Sequence, residues 1–185
     1  MKIVWQQWRD AFFRCVPSGA HFLLCGGRQV EIYRVTFIGH RYIEGNYGLE
    51  KRLEALVLDL LRSKEYVEFY VGRNGDFDTS AASAVKRAQE KQGSENSSLI
   101  LVLPYLVADV PYYERFYDEI IIPIGKSHPK SAITKRNRWM IENADLLIAF
   151  VEEGRLGGAM TALKYAEKRS IKIINLKAEF FSKTY

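Results

Sequence analysis

Two uninterrupted apolar runs constrain the fold of this chain more than any other feature. Leu99–Leu103 reads Leu-Ile-Leu-Val-Leu, and Asp145–Val151 continues after its aspartate as Leu-Leu-Ile-Ala-Phe-Val. A strand with one face in water alternates apolar and polar side chains, whereas a continuous apolar run indicates burial on both faces. The runs therefore predict strands of a parallel sheet that helices cover on both sides.

Strand and helix patterns alternate along most of the chain. Leu49–Leu61 places its apolar residues on one face and its charged residues opposite, which predicts an amphipathic helix. The alternation favours an α/β fold, a Rossmann-like, doubly wound and mostly parallel sheet with helices on both faces. The predicted strands are Val35–Ile38, Val67–Val71, Leu99–Leu103, Glu119–Ile122, Asp145–Val151 and Ile171–Ile174, and the predicted helices are Leu49–Leu61, Thr79–Lys91, Tyr112–Tyr117, Asn137–Asn143 and Gly158–Lys168.

The length of 185 residues suits one domain, which we expect at 34–185. Residues 1–33 form an N-terminal extension with three open interpretations: a helix docked on the sheet around Trp5–Cys15, a partner-binding segment, or an upstream extension of the natural start. Cys15 and Cys25 belong to no CxxC or His/Cys cluster, so we expect no metal site and a cytoplasmic location. We expect no membrane partner, because no apolar run approaches the ~20 residues of a spanning helix.

Ligands of open parallel sheets bind beyond the carboxyl ends of the strands, so the loops after the predicted strands are the candidate sites. Gly39, His40 and Arg41 follow the first strand. A glycine lets the backbone approach a ligand closely, and His and Arg can bind a phosphate or a sugar. A turn with two solvated polar side chains is the simpler explanation of this triplet.

A second loop, 72–78, holds two glycines in four residues, which indicates a tight turn between strand and helix. Gly72 and Gly75 are its candidate binding residues, together with Asp78 at the expected helix start. As an N-cap, Asp78 needs no ligand. Its charge would repel a phosphate there, so a bound sugar hydroxyl is the functional alternative.

Residues 126–138 hold five basic residues and no acidic one. Such a run is ordinarily solvated, but this one falls just before a predicted helix. We expect Asn137 to cap that helix and Arg136 or Arg138 to bind a phosphate through two parallel hydrogen bonds. Outside this run, residues 34–185 contain 18 basic and 20 acidic residues. The positive charge is therefore local, which favours a small anionic ligand over nucleic acid or a membrane surface.

Gly157 and Gly158 follow a buried strand and open a predicted helix. Free backbone N–H groups and the positive end of the helix dipole make such a start a phosphate site, with Thr161 one turn further on. Close packing of the helix on the sheet explains the glycine pair as well. The chain contains no GxGxxG, GxxxxGK[ST] or GxSxG motif, and we predict no cofactor.

The order of these motifs across residues 34–176 resembles the SLOG superfamily, the Rossmann-like group named after the SMF/DprA and LOG proteins. Within it the chain is most similar to small YpsA/YspA-like bacterial and phage proteins of poorly defined function. The resemblance implies glycine-rich loops that line a pocket for a nucleotide or nucleotide-derived ligand. The residues that it places there are Gly39, Arg41, Gly72, Gly75, Arg136, Asn137, Gly157, Gly158 and Thr161.

The resemblance also bears on catalysis, because LOG-type enzymes cleave the N-glycosidic bond of a nucleoside monophosphate with a PGGxGTxxE motif. In the matching stretch, Leu156 replaces the proline, Met160 the third glycine and Lys164 the catalytic glutamate. An ammonium group removes the general acid or base, which disfavours this mechanism. The substitute carboxylates are Glu152, Glu153 and Asp78, which could stabilise an oxocarbenium ion.

The leading hypothesis is therefore a binding module that senses or sequesters a nucleotide-type anionic small molecule. The resemblance links such modules to bacterial and phage signalling. A nucleotide N-glycosidase is the alternative, and DprA-like DNA binding is a third option. We do not expect nucleic acid as the partner, because no long basic stripe with interleaved aromatic residues is present. A homo-oligomer is compatible with the superfamily.

Overall fold

The computed structural model describes residues 21–25, 28–44, 48–125 and 128–177. Within this part of the chain, one seven-stranded sheet is covered by helices, none of which is long and apolar enough to cross a bilayer. The elements are β1 (His21–Cys25), β2 (Arg28–Gly39), α1 (Leu49–Ser63), β3 (Tyr66–Val71), α2 (Asp76–Gln92), β4 (Ser97–Val102), α3 (Val110–Tyr113), β5 (Glu119–Ile121), α4 (Pro129–Glu142), β6 (Leu146–Phe150), α5 (Gly158–Lys168) and β7 (Lys172–Asn175).

Six of the strands are parallel, in the order β5-β4-β3-β2-β6-β7, and β1 pairs antiparallel with β2. The chain moves outward from β2 to β5 and then returns through α4 to β6 on the other side of β2. This reversal places the carboxyl ends of β2 and β6 side by side, with Gly39 opposite Phe150. The predicted Rossmann-like, doubly wound and mostly parallel sheet is confirmed.

Helices cover both faces of the sheet. On one face, α1 and α2 pack over Phe37, whose ring centroid lies 6.2 Å from that of Phe69 and 6.5 Å from that of Phe77. On the other face, α4 buries Met140 against β3, β4 and β5, and α5 buries Leu163 against β2 and β6. Burial on both faces explains why the central strands are apolar without alternation.

A buried ion pair lies under α4, and no sequence pattern predicted it. Arg34 of β2 donates from Nε to Oε2 of Glu68 on β3 over 2.9 Å, and both side chains are 6% exposed. The Tyr70 hydroxyl donates to the same oxygen over 2.7 Å. Arg34 and Glu68 are direct cross-strand partners. Because a buried charge without its partner is costly, this pair fixes the register of β2 against β3.

β2 begins at Arg28 rather than at Val35, so the expected boundary between residues 33 and 34 falls inside a strand. Its first part pairs with β1, which the sequence analysis did not predict. Glu31 is exposed and Ile32 is buried there, the alternation of a half-exposed strand. Because its residues alternate, this segment contains no continuous apolar run that would identify it as a strand. The expected helix at Trp5–Cys15 lies outside the described residues.

Three helices begin earlier than predicted, and the difference is smallest for α3, which begins at Val110 rather than at Tyr112. α2 begins at Asp76 with Gly75 as its N-cap residue, so Asp78 lies within the first turn, and its prediction as an N-cap was wrong. α4 begins at Pro129, a residue whose fixed φ suits a first helical position. Asn137 therefore lies inside α4 and cannot cap it. The basic run is mostly helical because lysine and arginine are good helix formers.

Truncating the aromatic core should strongly destabilise the protein. Phe37 is fully buried in the central strand, so Phe37→Ala should lower the free energy of unfolding by about 3–5 kcal/mol. Urea denaturation followed by circular dichroism measures this loss. In the control Tyr112→Ala, the replaced side chain is 71% exposed, and the change should stay below about 0.5 kcal/mol. Similar losses in both variants would contradict the position of Phe37.

Candidate functional site

A cavity of about 310 Å³ lies where the carboxyl ends of β2 and β6 meet. Its size is at the low end of the roughly 300–1,000 Å³ of small-molecule sites. The walls come from the loops after β2, β3 and β6, from α4 and from the start of α5. The lining residues are Ile38, Gly39, His40, Arg41, Tyr42, Asn74, Gly75, Asp78, Ile133, Arg136, Asn137, Arg155, Leu156, Gly157, Gly158 and Ala159.

The cavity brings together nine of the eleven residues that the sequence analysis proposed for ligand binding. Gly72 and Thr161 do not line it, and neither do the candidate carboxylates Glu152 and Glu153. Lys164 is exposed on α5 and also lies outside the lining. The nine lining residues are Gly39, His40, Arg41, Gly75, Asp78, Arg136, Asn137, Gly157 and Gly158.

The N-terminus of α5 opens directly into the cavity. Gly157 precedes the helix with a φ of 152°, a conformation that side chains rarely adopt. The first N–H groups of a helix have no intrahelical partner, and the first turn of α5 contains no acidic residue. Thr161 donates its hydroxyl back to the Gly157 carbonyl over 3.0 Å, so it closes the turn. The positive end of α5 is therefore available to an anion.

The helix α2 also begins at the cavity, but carboxylates in its own first turn offset the positive end of its dipole. Asp76 accepts a hydrogen bond from the backbone N–H of Ile43 over 3.1 Å. Asp78 accepts one from the backbone N–H of Asn74 over 2.9 Å. Carboxylates in a first turn offset the helix dipole. Of the two helix starts at the cavity, α5 is thus the one suited to bind a phosphate.

A buried guanidinium forms the inner wall of the cavity. Arg136 is 3% exposed, and its Nη1 donates to the carbonyl of Val102 over 3.4 Å. Burial lowers its pKa, while the charge of Asp78 raises it. Burial also raises the pKa of Asp78, against the opposing effects of Arg136 and of two backbone N–H groups. Arg136 Nε and Asn137 Oδ1 are buried and have no partner among the described residues, which marks this corner as under-satisfied.

Three glycines, at the end of β2 and in the loop after β3, serve the packing of the chain itself, whereas a Cβ on Gly157 or Gly158 would meet nothing within 4 Å. A Cβ on Gly72 would collide with the guanidinium of Arg136, and one on Gly39 would collide with the ring of Phe77. On Gly75 a Cβ would lie 2.8 Å from the Cα of Arg41. Contacts within the protein therefore explain why Gly39, Gly72 and Gly75 carry no side chain. The sequence analysis instead attributed Gly39 to close approach of the backbone to a ligand.

His40 joins the loops after β2 and β6. It is 7% exposed, its ring Nε2 accepts the backbone N–H of Glu152 over 3.0 Å, and its backbone N–H donates to the carbonyl of Phe150 over 3.3 Å. Burial lowers the pKa of His40, Arg155 lowers it further, and Glu152 opposes both. Because the ring is neutral and Nε2 accepts, Nδ1 carries the proton. His40 therefore positions the two loops.

Three arginines from separate segments give the cavity its positive charge. Arg136 comes from α4, whereas Arg41 and Arg155 follow β2 and β6 and are exposed. Arg41 Nε donates to the carbonyl of Asn74 over 3.1 Å, which ties its side chain to the loop after β3. Asp78 supplies the one carboxylate among the lining residues. The arrangement suits an anionic ligand.

The basic run contributes less to this charge than the sequence analysis expected. Of the run's basic side chains that the structure describes, only Arg136 lines the cavity. Lys135 is exposed, and Arg138 lies over the ring of Tyr165 at 5.2 Å. Lys126 lies outside the described residues, as does the side chain of Lys130.

Seven lining residues were missed by the sequence analysis. Arg155 follows β6 within the same stretch as the glycine pair, so its loop position was a usable signal. Leu156 and Ala159 lie in the same stretch, which the sequence analysis compared with the PGGxGTxxE motif without naming them as binding residues. The other four lie in or beside the candidate loops and are Ile38, Tyr42, Asn74 and Ile133.

The fold and the cavity define a Rossmann-like α/β protein whose site, at the switch in strand order, favours anions. No family model matches the chain, and no curated protein is detectably similar to it in sequence. Among solved structures it is similar to DNA processing protein A from Helicobacter pylori, described for its single-stranded DNA binding mode, with a TM-score of 0.54 and 16% identity over 82% of this chain and 72% of that one. It is also similar to the structural genomics target TM1055, with a TM-score of 0.52 and 14% identity over 76% and 72% of the two chains.

These likenesses establish the fold. Both identities are too low to carry a function from one chain to the other.

The lowered pKa of His40 predicts a loss of stability in acid. Below the unfolded-state pKa of about 6.5, the unfolded chain binds a proton that the folded chain refuses until its own lower pKa is passed. The free energy of unfolding should therefore decrease between about pH 7 and pH 5. Urea titrations at both values measure the decrease, which should be smaller in His40→Gln. An unchanged pH dependence in this variant would contradict the burial of a neutral His40.

Proposed function

We propose that this chain binds a nucleotide or nucleotide-derived small molecule in the cavity and acts as a sensing or sequestering module. The start of α5 carries the proposal: Gly157 and Gly158 open it, its first turn has no acidic residue, and three arginines line the same cavity. Backbone N–H groups at a helix start and guanidinium groups are the donors that phosphates bind in proteins.

The proposal includes a finer placement of the chain. Because its motifs follow the order found in that group, we place it with the YpsA/YspA-like members of the SLOG superfamily. We expect it to act in the cytoplasm, in bacterial or phage nucleotide signalling, and a homo-oligomer is compatible with this role. The motif order supports this placement, and the low-identity structural likenesses are consistent with it.

A second candidate function is hydrolysis of the N-glycosidic bond of a nucleotide. Asp78 favours it, because this residue lines the cavity and burial raises its pKa toward the range of a general acid. Glu152, Glu153 and Lys164 lie outside the lining. In this reaction water adds to the anomeric carbon, the carbon–nitrogen bond breaks, and the base leaves with a proton.

Incubation with AMP distinguishes binding from hydrolysis. A binding module should leave AMP intact, as chromatography of the mixture would show. Release of adenine and ribose 5-phosphate that is lost in Asp78→Asn would instead establish the enzyme. Asp78→Asn keeps an oxygen that can accept the N–H of Asn74 but removes the negative charge that faces the buried Arg136, so thermal unfolding must show that the variant is folded before the loss is assigned to catalysis.

Single-stranded DNA is the partner suggested by the likeness to DNA processing protein A. The binding experiment therefore compares AMP, cyclic AMP and ADP-ribose with a single-stranded DNA of about 12 nucleotides, by calorimetry on the full chain. We expect at least one of the three small nucleotides to bind. Failure of all three would overturn the proposal. DNA binding alone, weakening steeply with salt, would point to a nucleic-acid partner.

A carboxylate placed at the start of α5 should abolish binding without harming the fold. Ala159 lines the cavity in the first turn of α5, so Ala159→Asp should stabilise the helix by about 0.3–1 kcal/mol. The same charge should weaken AMP binding at least about tenfold by repelling the phosphate. Calorimetry and thermal unfolding measure the two effects.

Gln92→Glu provides the matched control for this variant. It adds a negative charge at the exposed C-terminal end of α2, at the opposite edge of the sheet. Its AMP affinity should equal that of the unmodified chain. Undiminished AMP binding by Ala159→Asp would rule out the start of α5 as the phosphate site.

A further inference from the structure

Three large, exposed apolar side chains lie together at the cavity. Seven large apolar side chains are exposed in the described residues, and three of them line this cavity. They are Tyr42, Ile133 and Leu156, which are 66%, 39% and 89% exposed and which we term the apolar rim. The other four lie between residues 105 and 116, outside the lining. Clustered apolar surface beside a cavity is typical of a binding site.

The apolar rim stands next to the groups that favour an anion. Tyr42 directly follows Arg41, and Leu156 directly follows Arg155. The third rim residue lies about one helical turn before Arg136 on α4. Three separate segments thus each pair one apolar side chain with one arginine. The ligand that matches this pattern has an anionic part and an apolar part close together.

We propose that the apolar rim receives the base of a nucleoside phosphate, stacked on Tyr42, while the phosphate lies at the start of α5. This inference rests on the proposed function and names its ligand class, since a sugar phosphate or a phosphate ion would leave the rim uncovered. Among the three rim side chains, the Tyr42 hydroxyl is the only polar group. Stacking accepts any base because every base has a π-face. The site therefore selects for the presence of a base and tolerates its identity.

Ligands that share a phosphate but differ in the base test this inference. Calorimetry on the full chain compares AMP, GMP and ribose 5-phosphate. AMP should bind at least about tenfold more tightly than ribose 5-phosphate, and GMP within about threefold of AMP. Equal affinities for AMP and ribose 5-phosphate would overturn the base subsite and leave the phosphate site standing. A preference of more than about tenfold for one of the two purine nucleotides would contradict the proposed tolerance of different bases. No binding of any of the three would overturn this inference, and the proposed function would fall with it if cyclic AMP and ADP-ribose also failed to bind.

Substitutions at Tyr42 test whether its aromatic ring causes the tighter binding of AMP than of ribose 5-phosphate. Tyr42→Leu keeps an apolar side chain without the ring, so its AMP affinity should fall about tenfold while its affinity for ribose 5-phosphate stays unchanged. The variant Tyr42→Phe, which keeps the ring, should bind AMP as tightly as the unmodified chain does. The control Tyr112→Leu removes a tyrosine that is 71% exposed and lies outside the cavity lining, and it should bind AMP normally. Equal weakening of both ligands by Tyr42→Leu would contradict stacking.

Discussion

The parallel pairing of β2 with β6 is the interaction on which the candidate site depends. Gly39 lies opposite Phe150 at the ends of these strands, and the hydrogen bond from the Glu152 N–H to His40 carries the pairing into the loops beyond them. These contacts bring two segments together that are more than a hundred residues apart in the chain. Without this pairing, Arg41 and Arg155 would have no common cavity to line.

Local electrostatics then decide what the cavity can accept. Two helices begin at it, and the first turn of α2 holds its own carboxylates whereas that of α5 holds none. The positive end of α5 is thus left to a ligand, beside a buried Arg136 whose Nε has no partner in the described part of the chain. An anion at this place would satisfy donors that the fold leaves open, and the apolar rim offers a surface for the remainder of the ligand.

Much of the fold followed from sequence because burial on both faces leaves an unmistakable apolar run, as in Leu99–Leu103. The loops of the site followed from the rule that ligands bind beyond strand ends. The rule says nothing of apolar residues there, so Tyr42 and Leu156 were missed. The helix starts at Asp76 and Pro129 were misplaced because basic and polar residues suit helices and loops alike. The ion pair of Arg34 and Glu68, which fixes the register of β2 against β3, could not be predicted. The two residues are far apart in the sequence and become neighbours only when the strands pair.

The central claim is that the start of α5 binds the phosphate of a nucleotide, and backbone amide NMR tests it most directly. Titration of the isotopically labelled chain with AMP should shift the amide protons of Gly158 and Ala159 downfield and saturably, because a phosphate that accepts these N–H groups deshields them. Adenosine, which lacks the phosphate, should shift neither amide in this way. Saturable binding of AMP that leaves both amides unmoved would contradict the account, and so would a chain that binds none of AMP, cyclic AMP and ADP-ribose.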